Sequence, residues 1–118
     1  MTQHPATPGL LLPATTTTDH DAVRAAVAVL PIGAFEQHGP SLPLVTDSLI
    51  AIAIAEAISQ HHKVFQLPAI TFGCSDEHSA FPGTVSLSPA TLAAVVTDIR
   101  TSLAQQRISA TRSCDYSR

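Results

Sequence analysis

Two short strand-like segments alternate with two longer helical patterns along this chain. Residues 27–32 form a continuous apolar run closed by Gly33, and residues 63–67 are a second strand candidate that Pro68 ends. Segments of this length are typical of strands buried on both faces, as in a parallel sheet covered by helices. The pattern therefore predicts two neighbouring parallel strands.

A helix is predicted after each strand. Thr46 or Asp47 can cap a helix that runs to about Gln60, and its apolar side chains point in nearly every direction around the axis. We expect that helix to be sandwiched, either in the core or at a subunit contact. Ser88 followed by Pro89 is a strong helix start. The helix after it carries one apolar stripe that should cover the sheet: Leu92, Val95, Val96, Ile99 and Leu103.

The order strand, loop, helix, repeated once, predicts an α/β fold with a mostly parallel sheet flanked by helices. Functional residues in such folds gather in the loops beyond the carboxyl ends of the strands. Two long loops occupy that position, residues 33–45 and 69–87. A functional site is therefore expected where these loops meet.

The two ends of the chain depart from this pattern. Residues 1–18 hold three prolines and four consecutive threonines, which predicts a flexible leader, and Asp19 or Asp21 can cap a short helix after it. Residues 19–107 form the predicted domain. A third buried strand should follow, but residues 108–118 are mostly polar. We interpret them as an atypical tail and expect the sheet to be truncated after its second strand–helix unit, with an unpaired strand edge.

The composition indicates which kinds of partner and which cellular compartment to expect. Of the 118 residues, 45% are hydrophobic and 13% are charged, and the formal net charge is −3, which suits a compact soluble protein. The six Lys and Arg residues are scattered, so no nucleic-acid partner is expected, and no apolar run is long enough to span a membrane. Two cysteines and a start without an apolar signal core predict a reduced, cytoplasmic setting.

The first long loop carries candidate metal ligands. Glu36 and His38 are two residues apart, so both side chains project to one side if the segment is extended. Asp47 follows where the loop returns to the next helix, and a carboxylate there could bridge two ions. Carboxylate oxygen and imidazole nitrogen together suit zinc or manganese. The alternatives are a solvated or hydrogen-bonded Glu–His pair and an aspartate that simply caps the helix.

Two long motifs resemble the signatures of one enzyme family. Residues 30–40 read LPIGAFEQHGP, followed by LPL at 42–44 and TD at 46–47, and residues 72–87 read FGCSDEHSAFPGTVSL. In this order, each ahead of a predicted helix, they resemble the first and second signatures of the creatininase (creatinine amidohydrolase) family. The resemblance covers about residues 25–107 and implies a three-layer α/β sandwich, of which this chain holds roughly the N-terminal half.

The resemblance also implies roles for particular residues. Glu36 would hold one ion of a two-metal centre of zinc or manganese, His38 would hold the other, and Asp47 would bridge them. Ser75 matches the serine that contacts substrate in creatininase. Two residues that follow it closely are candidates for the pocket: Glu77 and His78. No catalytic residue is assigned.

The implied activity is hydrolysis of an amide C–N bond, in a creatinine-like cyclic amide, a formamide or a peptide-type substrate, by a water that two metal ions activate. The resemblance also implies a homo-oligomer for full-length relatives. Ser41 replaces a histidine that many members have, and the strand and Asn-Gly-His-type loop that complete the ligand set do not follow the second helix. Whether this chain alone is an enzyme is therefore open. The alternatives are a truncated, non-catalytic fragment that binds metal weakly at most and a partner-binding module that uses helix 47–60.

Overall fold

The computed structural model describes residues 12–106 and, beyond them, the two short strands 109–110 and 114–115. In chain order its elements are α1 (Thr17–Val23), β1 (Val27–Val29), β2 (Pro31–Ile32), α2 (Thr46–His61), β3 (Phe65–Gln66), α3 (Pro89–Gln105), β4 (Ser109–Ala110) and β5 (Cys114–Asp115). A 3₁₀ turn, Asp76–His78, lies in the long loop between β3 and α3.

The named strands pair only in the parallel sense. β1 lies between β3 and β4, with Ala28 opposite Phe65 on one side and opposite Ala110 on the other, and β2 pairs with β5. The apolar run at residues 27–32 is divided between β1 and β2, because Pro31 has no N–H to donate to a continuous ladder. The prediction of a mostly parallel sheet is confirmed.

The sheet continues for two short strands after α3, which corrects the expectation of an unpaired strand edge. Ser109–Ala110 pairs with β1 and Cys114–Asp115 pairs with β2, so the segment interpreted as a polar tail covers the strand edge that was expected to be unpaired. Parallel pairing uses backbone N–H and C=O groups, which a polar sequence provides as well as an apolar one. The remaining residues of the segment 107–118 lie outside the described residues.

The two long helices lie on opposite faces of the sheet. Ala28 packs with Leu103 of α3, whereas Val29 packs with Ala55 of α2 and with Val64. Successive side chains of a strand point to opposite faces, so α3 covers one face and α2 covers the other. This helix–sheet–helix order confirms the three-layer α/β sandwich.

α2 begins without the side-chain cap that the sequence predicts. Val45 precedes its first residue, and neither Thr46 nor Asp47 caps the helix, because the Thr46 hydroxyl donates to the Pro43 carbonyl at 2.6 Å instead. Asp47 is therefore left in the first turn with its carboxylate available for other contacts. Ile50 is 46% exposed, so the described residues enclose α2 on one face only, and a subunit contact on the other face stays a prediction.

The other two helices begin at side-chain caps. Ser88 caps α3 as predicted, and its hydroxyl accepts the N–H of Thr91 at 3.2 Å. α1 is capped by Thr16 and not by Asp19 or Asp21, because the chain enters the helix earlier than expected. Asp19 instead completes a capping box with Thr16.

The N-terminal segment is only partly described. Residues 1–11 lie outside the described residues, so the flexible leader over residues 1–18 and the domain boundary at residue 19 stay predictions, although Thr17 and Thr18 belong to α1. Within the described part of the chain, no helix combines the length and the apolarity needed to cross a bilayer.

Candidate metal centre

The loop between β2 and α2 brings the first candidate ligands to one end of the sheet. The Glu36 N–H donates to the Leu44 carbonyl at 3.1 Å, which closes the loop and returns the chain to α2. Phe35 forms a backbone bridge with Val85 of the second long loop. The two long loops therefore meet beyond the carboxyl ends of the strands, as expected for a parallel sheet.

The three predicted ligands converge between this loop and α2. One ligand atom from each of Glu36, His38 and Asp47 lies within 4.8 Å of the other two. His38 Nε2 is 3.3 Å from Asp47 Oδ1. Glu36 is buried, with 7% of its surface exposed, and the other two side chains are half-buried. Two carboxylates and an imidazole at these separations can contact a single cation.

The two ring nitrogens of His38 face different groups: Nδ1 faces the backbone carbonyl of Glu36, and Nε2 faces the carboxylate of Asp47. His38 Nδ1 is 3.1 Å from the backbone carbonyl oxygen of Glu36, and because a carbonyl only accepts, Nδ1 carries the proton of the neutral ring. The Nε2 lone pair then faces Asp47 Oδ1, which is also an acceptor. Two acceptors this close repel each other unless a cation lies between them, either a proton on the ring or a metal ion. The donor set therefore fits a divalent cation.

A second group of candidate ligands shares Glu36. One ligand atom from each of Glu36, Glu77 and His78 also lies within 4.8 Å of the other two, and His78 Nε2 is 3.2 Å from Glu36 Oε2. Glu77 is exposed and His78 is half-buried, and both lie on the 3₁₀ turn of the second long loop. The structure thus places both pocket candidates next to the predicted ligands.

Ser75 contacts the same carboxylate from the protein interior. Its side chain is 0% exposed, and its hydroxyl donates to Glu36 Oε1 at 2.7 Å. Its backbone N–H donates to Ser86 Oγ at 2.8 Å, which fixes the surrounding loop. The burial gives no support to a direct contact between this hydroxyl and a substrate, although the resemblance implies one.

Gln37 is a site residue that sequence reasoning missed. Its Nε2 is 2.9 Å from His78 Nδ1, and its Oε1 accepts the N–H of Gly39 at 3.0 Å. The available signal was its place between Glu36 and His38, which puts it on the opposite side of an extended segment. Its position in the sequence does not indicate a hydrogen bond to His78, which lies 41 residues further along the chain.

The fold and these loops correspond to one protein family. A profile of the creatininase family, described as creatinine amidohydrolase, matches residues 13–111. Because the match spans most of the chain, the chain belongs to the creatininase family. The matched region contains both long loops and all of the candidate ligands.

Individual relatives agree with this membership. The mycofactocin precursor peptide peptidase of Mycolicibacterium smegmatis is 40% identical over 72 residues, which are 56% of this chain and 29% of the relative. The creatinine amidohydrolase of Pseudomonas putida is 33% identical over 84 residues, 67% of this chain and 32% of the relative. The chain therefore spans about a third of the length of the curated relatives that it matches.

Solved creatininase structures share the fold. A creatininase in its Mn form superposes with a TM-score of 0.76 and 29% sequence identity, over 82% of this chain and 41% of that one. A mutant creatininase of Zn–Zn type superposes with a TM-score of 0.66 and 33% identity, over 73% of this chain and 35% of that one. The structures similar to this chain thus include manganese and zinc forms.

Proposed function

We propose that this chain carries the metal-binding part of a metal-dependent amidohydrolase that hydrolyses an amide C–N bond. The observation that carries the proposal is the convergence of Glu36, His38 and Asp47 within 4.8 Å of one another. Membership of the creatininase family supports the reaction class. The substrate would be a creatinine-like cyclic amide, a formamide or a peptide-type amide, and relatives named for creatinine and for a precursor peptide support this range.

Each of the three side chains has a separate task in this proposal. Glu36 would hold one ion, His38 would hold the other, and Asp47, in the first turn of α2, would be shared between them. Bound divalent ions would supply a water activated at neutral pH and would polarise the amide carbonyl. The manganese and zinc forms of similar creatininases support either metal. Because zinc usually takes four ligands, further donors are needed beyond these three.

A non-catalytic, weakly metal-binding fragment is the second candidate. The observation that favours it is coverage, since the chain spans 29% of the Mycolicibacterium peptidase and 41% of the Mn creatininase. In the described residues, both three-donor groups depend on the one carboxylate of Glu36. Two ions would therefore have to share it, or the centre would hold one ion.

Titration calorimetry with Mn²⁺ and with Zn²⁺ tests the ligand set. His38→Gln and Asp47→Asn are each expected to lower the affinity by more than about tenfold, because each removes a donor atom. His61→Gln is the matched control, since His61 is an exposed histidine at the end of α2, and its affinity should equal that of the unmodified chain. Unchanged affinity in both ligand variants would refute the assignment.

Release of ammonia or amine separates the two candidate functions. The metal-loaded chain is incubated with creatinine, a formamide and a short peptide, and the product is measured against metal ions alone. Release that disappears in the Asp47→Asn variant would establish the hydrolase. Background release together with intact metal binding would establish the non-catalytic fragment. A cytoplasmic setting and a homo-oligomer are further predictions.

A further inference from the structure

The Glu36 carboxylate is held at both of its oxygens by residues of the second long loop. Oε1 accepts the hydroxyl proton of the fully buried Ser75 at 2.7 Å, and Oε2 is 3.2 Å from His78 Nε2. A carboxylate that is only 7% exposed has lost most of its water, so its orientation depends on such partners. What His78 contributes to Glu36 depends on which of its ring nitrogens carries the proton.

The side-chain amide of Gln37 determines where that proton lies. The Gly39 backbone N–H can only donate, so the Gln37 atom that it contacts at 3.0 Å is the oxygen. The other end of the amide is therefore an NH₂ group, and it lies 2.9 Å from His78 Nδ1. His78 Nδ1 accepts this hydrogen bond and carries no proton. In the neutral ring the proton is consequently on Nε2, which faces Glu36 Oε2.

The two histidines of the centre thus have opposite tautomers. His38 is protonated at Nδ1 and presents the lone pair of Nε2 to the cation position beside Asp47. His78 is protonated at Nε2 and has no lone pair at the nitrogen that faces Glu36. The protonation pattern of the two rings therefore distinguishes the two candidate ligand groups, although in each group the ligand atoms lie within 4.8 Å of one another.

We propose that Gln37, Ser75 and His78 are positioning residues for Glu36, and that His78 is a hydrogen-bond donor to this carboxylate and not a metal ligand. Ser75 and His78 orient the two carboxylate oxygens, and Gln37 holds His78 in the tautomer that donates. Metal binding at the centre then depends on Glu36, His38 and Asp47 as ligands and not on His78. This inference rests on the proposed function, because positioning Glu36 matters only if Glu36 binds metal. The hydrogen bonds themselves can be measured without metal.

Nitrogen-15 NMR of the histidine rings tests the tautomers in the 118-residue chain, prepared in chelator. The spectrum distinguishes a ring protonated at Nδ1 from one protonated at Nε2, and His38→Gln and His78→Gln assign the two signals. We expect the Nε2–H form for His78 and the Nδ1–H form for His38. In Gln37→Met, which keeps the chain length but removes the amide, His78 should become a mixture of tautomers. An Nδ1–H form of His78, or a spectrum unchanged by Gln37→Met, would overturn the proposal.

Mn²⁺ titration then separates positioning from ligation. His78→Gln keeps an amide N–H near the place of the ring Nε2–H, so its affinity should stay within about twofold of the unmodified chain. His78→Ala and Ser75→Ala should each lose about tenfold, which is typical for partners that orient a ligand. Asp98→Asn, an exposed carboxylate on α3, is the control. Loss in His78→Gln as complete as in His38→Gln would show that His78 is a ligand and would overturn the proposal.

The two experiments keep this inference separate from the proposed function. If the unmodified chain binds no Mn²⁺ or Zn²⁺, the proposed metal site fails, and the NMR measurement alone decides whether Gln37 and His78 form the network. Thermal unfolding of every variant identifies any that lose affinity through misfolding. Ser75→Ala and His78→Ala remove different partners of Glu36, so misfolding of one variant leaves the other to decide the question.

Discussion

Gly33 lies at the point where the loop after β2 touches the first turn of α2. A Cβ at this position would lie 2.4 Å from Ser48 Cα and 2.6 Å from the Ser48 backbone nitrogen, and backbone atoms cannot move aside as a side chain can. Ser48 directly follows Asp47, so any displacement of this turn also displaces a proposed ligand. The glycine therefore permits the close approach between this loop and α2, which bring the candidate ligands together.

Gly33→Ala is expected to destabilise the fold and to weaken metal binding together. Forcing a methyl group into the contact with Ser48 should lower the free energy of unfolding by about 1–3 kcal/mol, as overpacked sites do. Moving Asp47 away from His38 should reduce the Mn²⁺ affinity at the same time. Denaturant unfolding gives the first quantity and calorimetric titration gives the second.

Gly39→Ala is the matched comparison for this prediction. Gly39 has φ of +75°, and nothing lies within 4 Å of an added Cβ, so alanine there meets only the strain of the left-handed conformation. That strain costs about 1–2 kcal/mol without displacing α2. A Gly33→Ala variant that binds Mn²⁺ as well as Gly39→Ala does would contradict a positioning role for the contact with Ser48.

At the scale of elements, the sequence predicted the strands and helices that a side-chain pattern marks and missed those without such a pattern. The apolar run at 27–32 and the Ser88–Pro89 start predicted β1 and α3, because burial and capping leave a mark in the sequence. β4 and β5 were not predicted, since the segment 108–118 that contains them is mostly polar and lacks the apolar run that marked β1. The predicted cap of α1 was misplaced because the helix begins earlier than expected, and the predicted cap of α2 does not form because the helix follows Val45 without a side-chain cap.

The contacts of the candidate site likewise divide into those that the sequence indicates and those that it does not. Glu36, His38 and Asp47 are close in sequence, so an alternating segment and a returning loop allowed them to converge, and the resemblance to the creatininase signatures favoured this over a solvated pair and a simple cap. The contact between Ser75 and Glu36 joins residues 39 apart, and it depends on how the two long loops cross beyond the sheet. Neither hydropathy nor spacing carries that information.

The cap of α3 should affect stability without affecting the metal centre. Ser88 Oγ accepts the N–H of Thr91 at 3.2 Å, and its loss in Ser88→Ala should lower the free energy of unfolding by about 1 kcal/mol. The Mn²⁺ affinity should not change, because no candidate ligand lies on α3. Ser88→Asp, which retains a capping oxygen, should restore most of the stability in denaturant unfolding. A fall in affinity in Ser88→Ala would show that the two parts of the fold are coupled.

At the scale of the whole molecule, the candidate metal centre joins side chains from separate segments of the chain. Glu36 and His38 come from the loop after β2, Asp47 comes from α2, and Ser75 reaches Glu36 from the second long loop. A cation bound here would therefore tie three segments at one end of the sheet. Since the unfolded chain does not keep these donors together, metal binding and folding should be linked.

Divalent metal should accordingly stabilise the whole chain. At a free Mn²⁺ concentration one hundred times the dissociation constant, binding to the folded state alone adds about 2.7 kcal/mol, which for a chain of this size raises the unfolding midpoint by on the order of 10 °C. Scanning calorimetry with increasing Mn²⁺ measures this shift, and excess chelator should reverse it. The Asp47→Asn variant should show a much smaller shift at the same concentrations. An equal shift in Asp47→Asn would mean that Mn²⁺ acts at another place, and the proposed centre would then lose its main support.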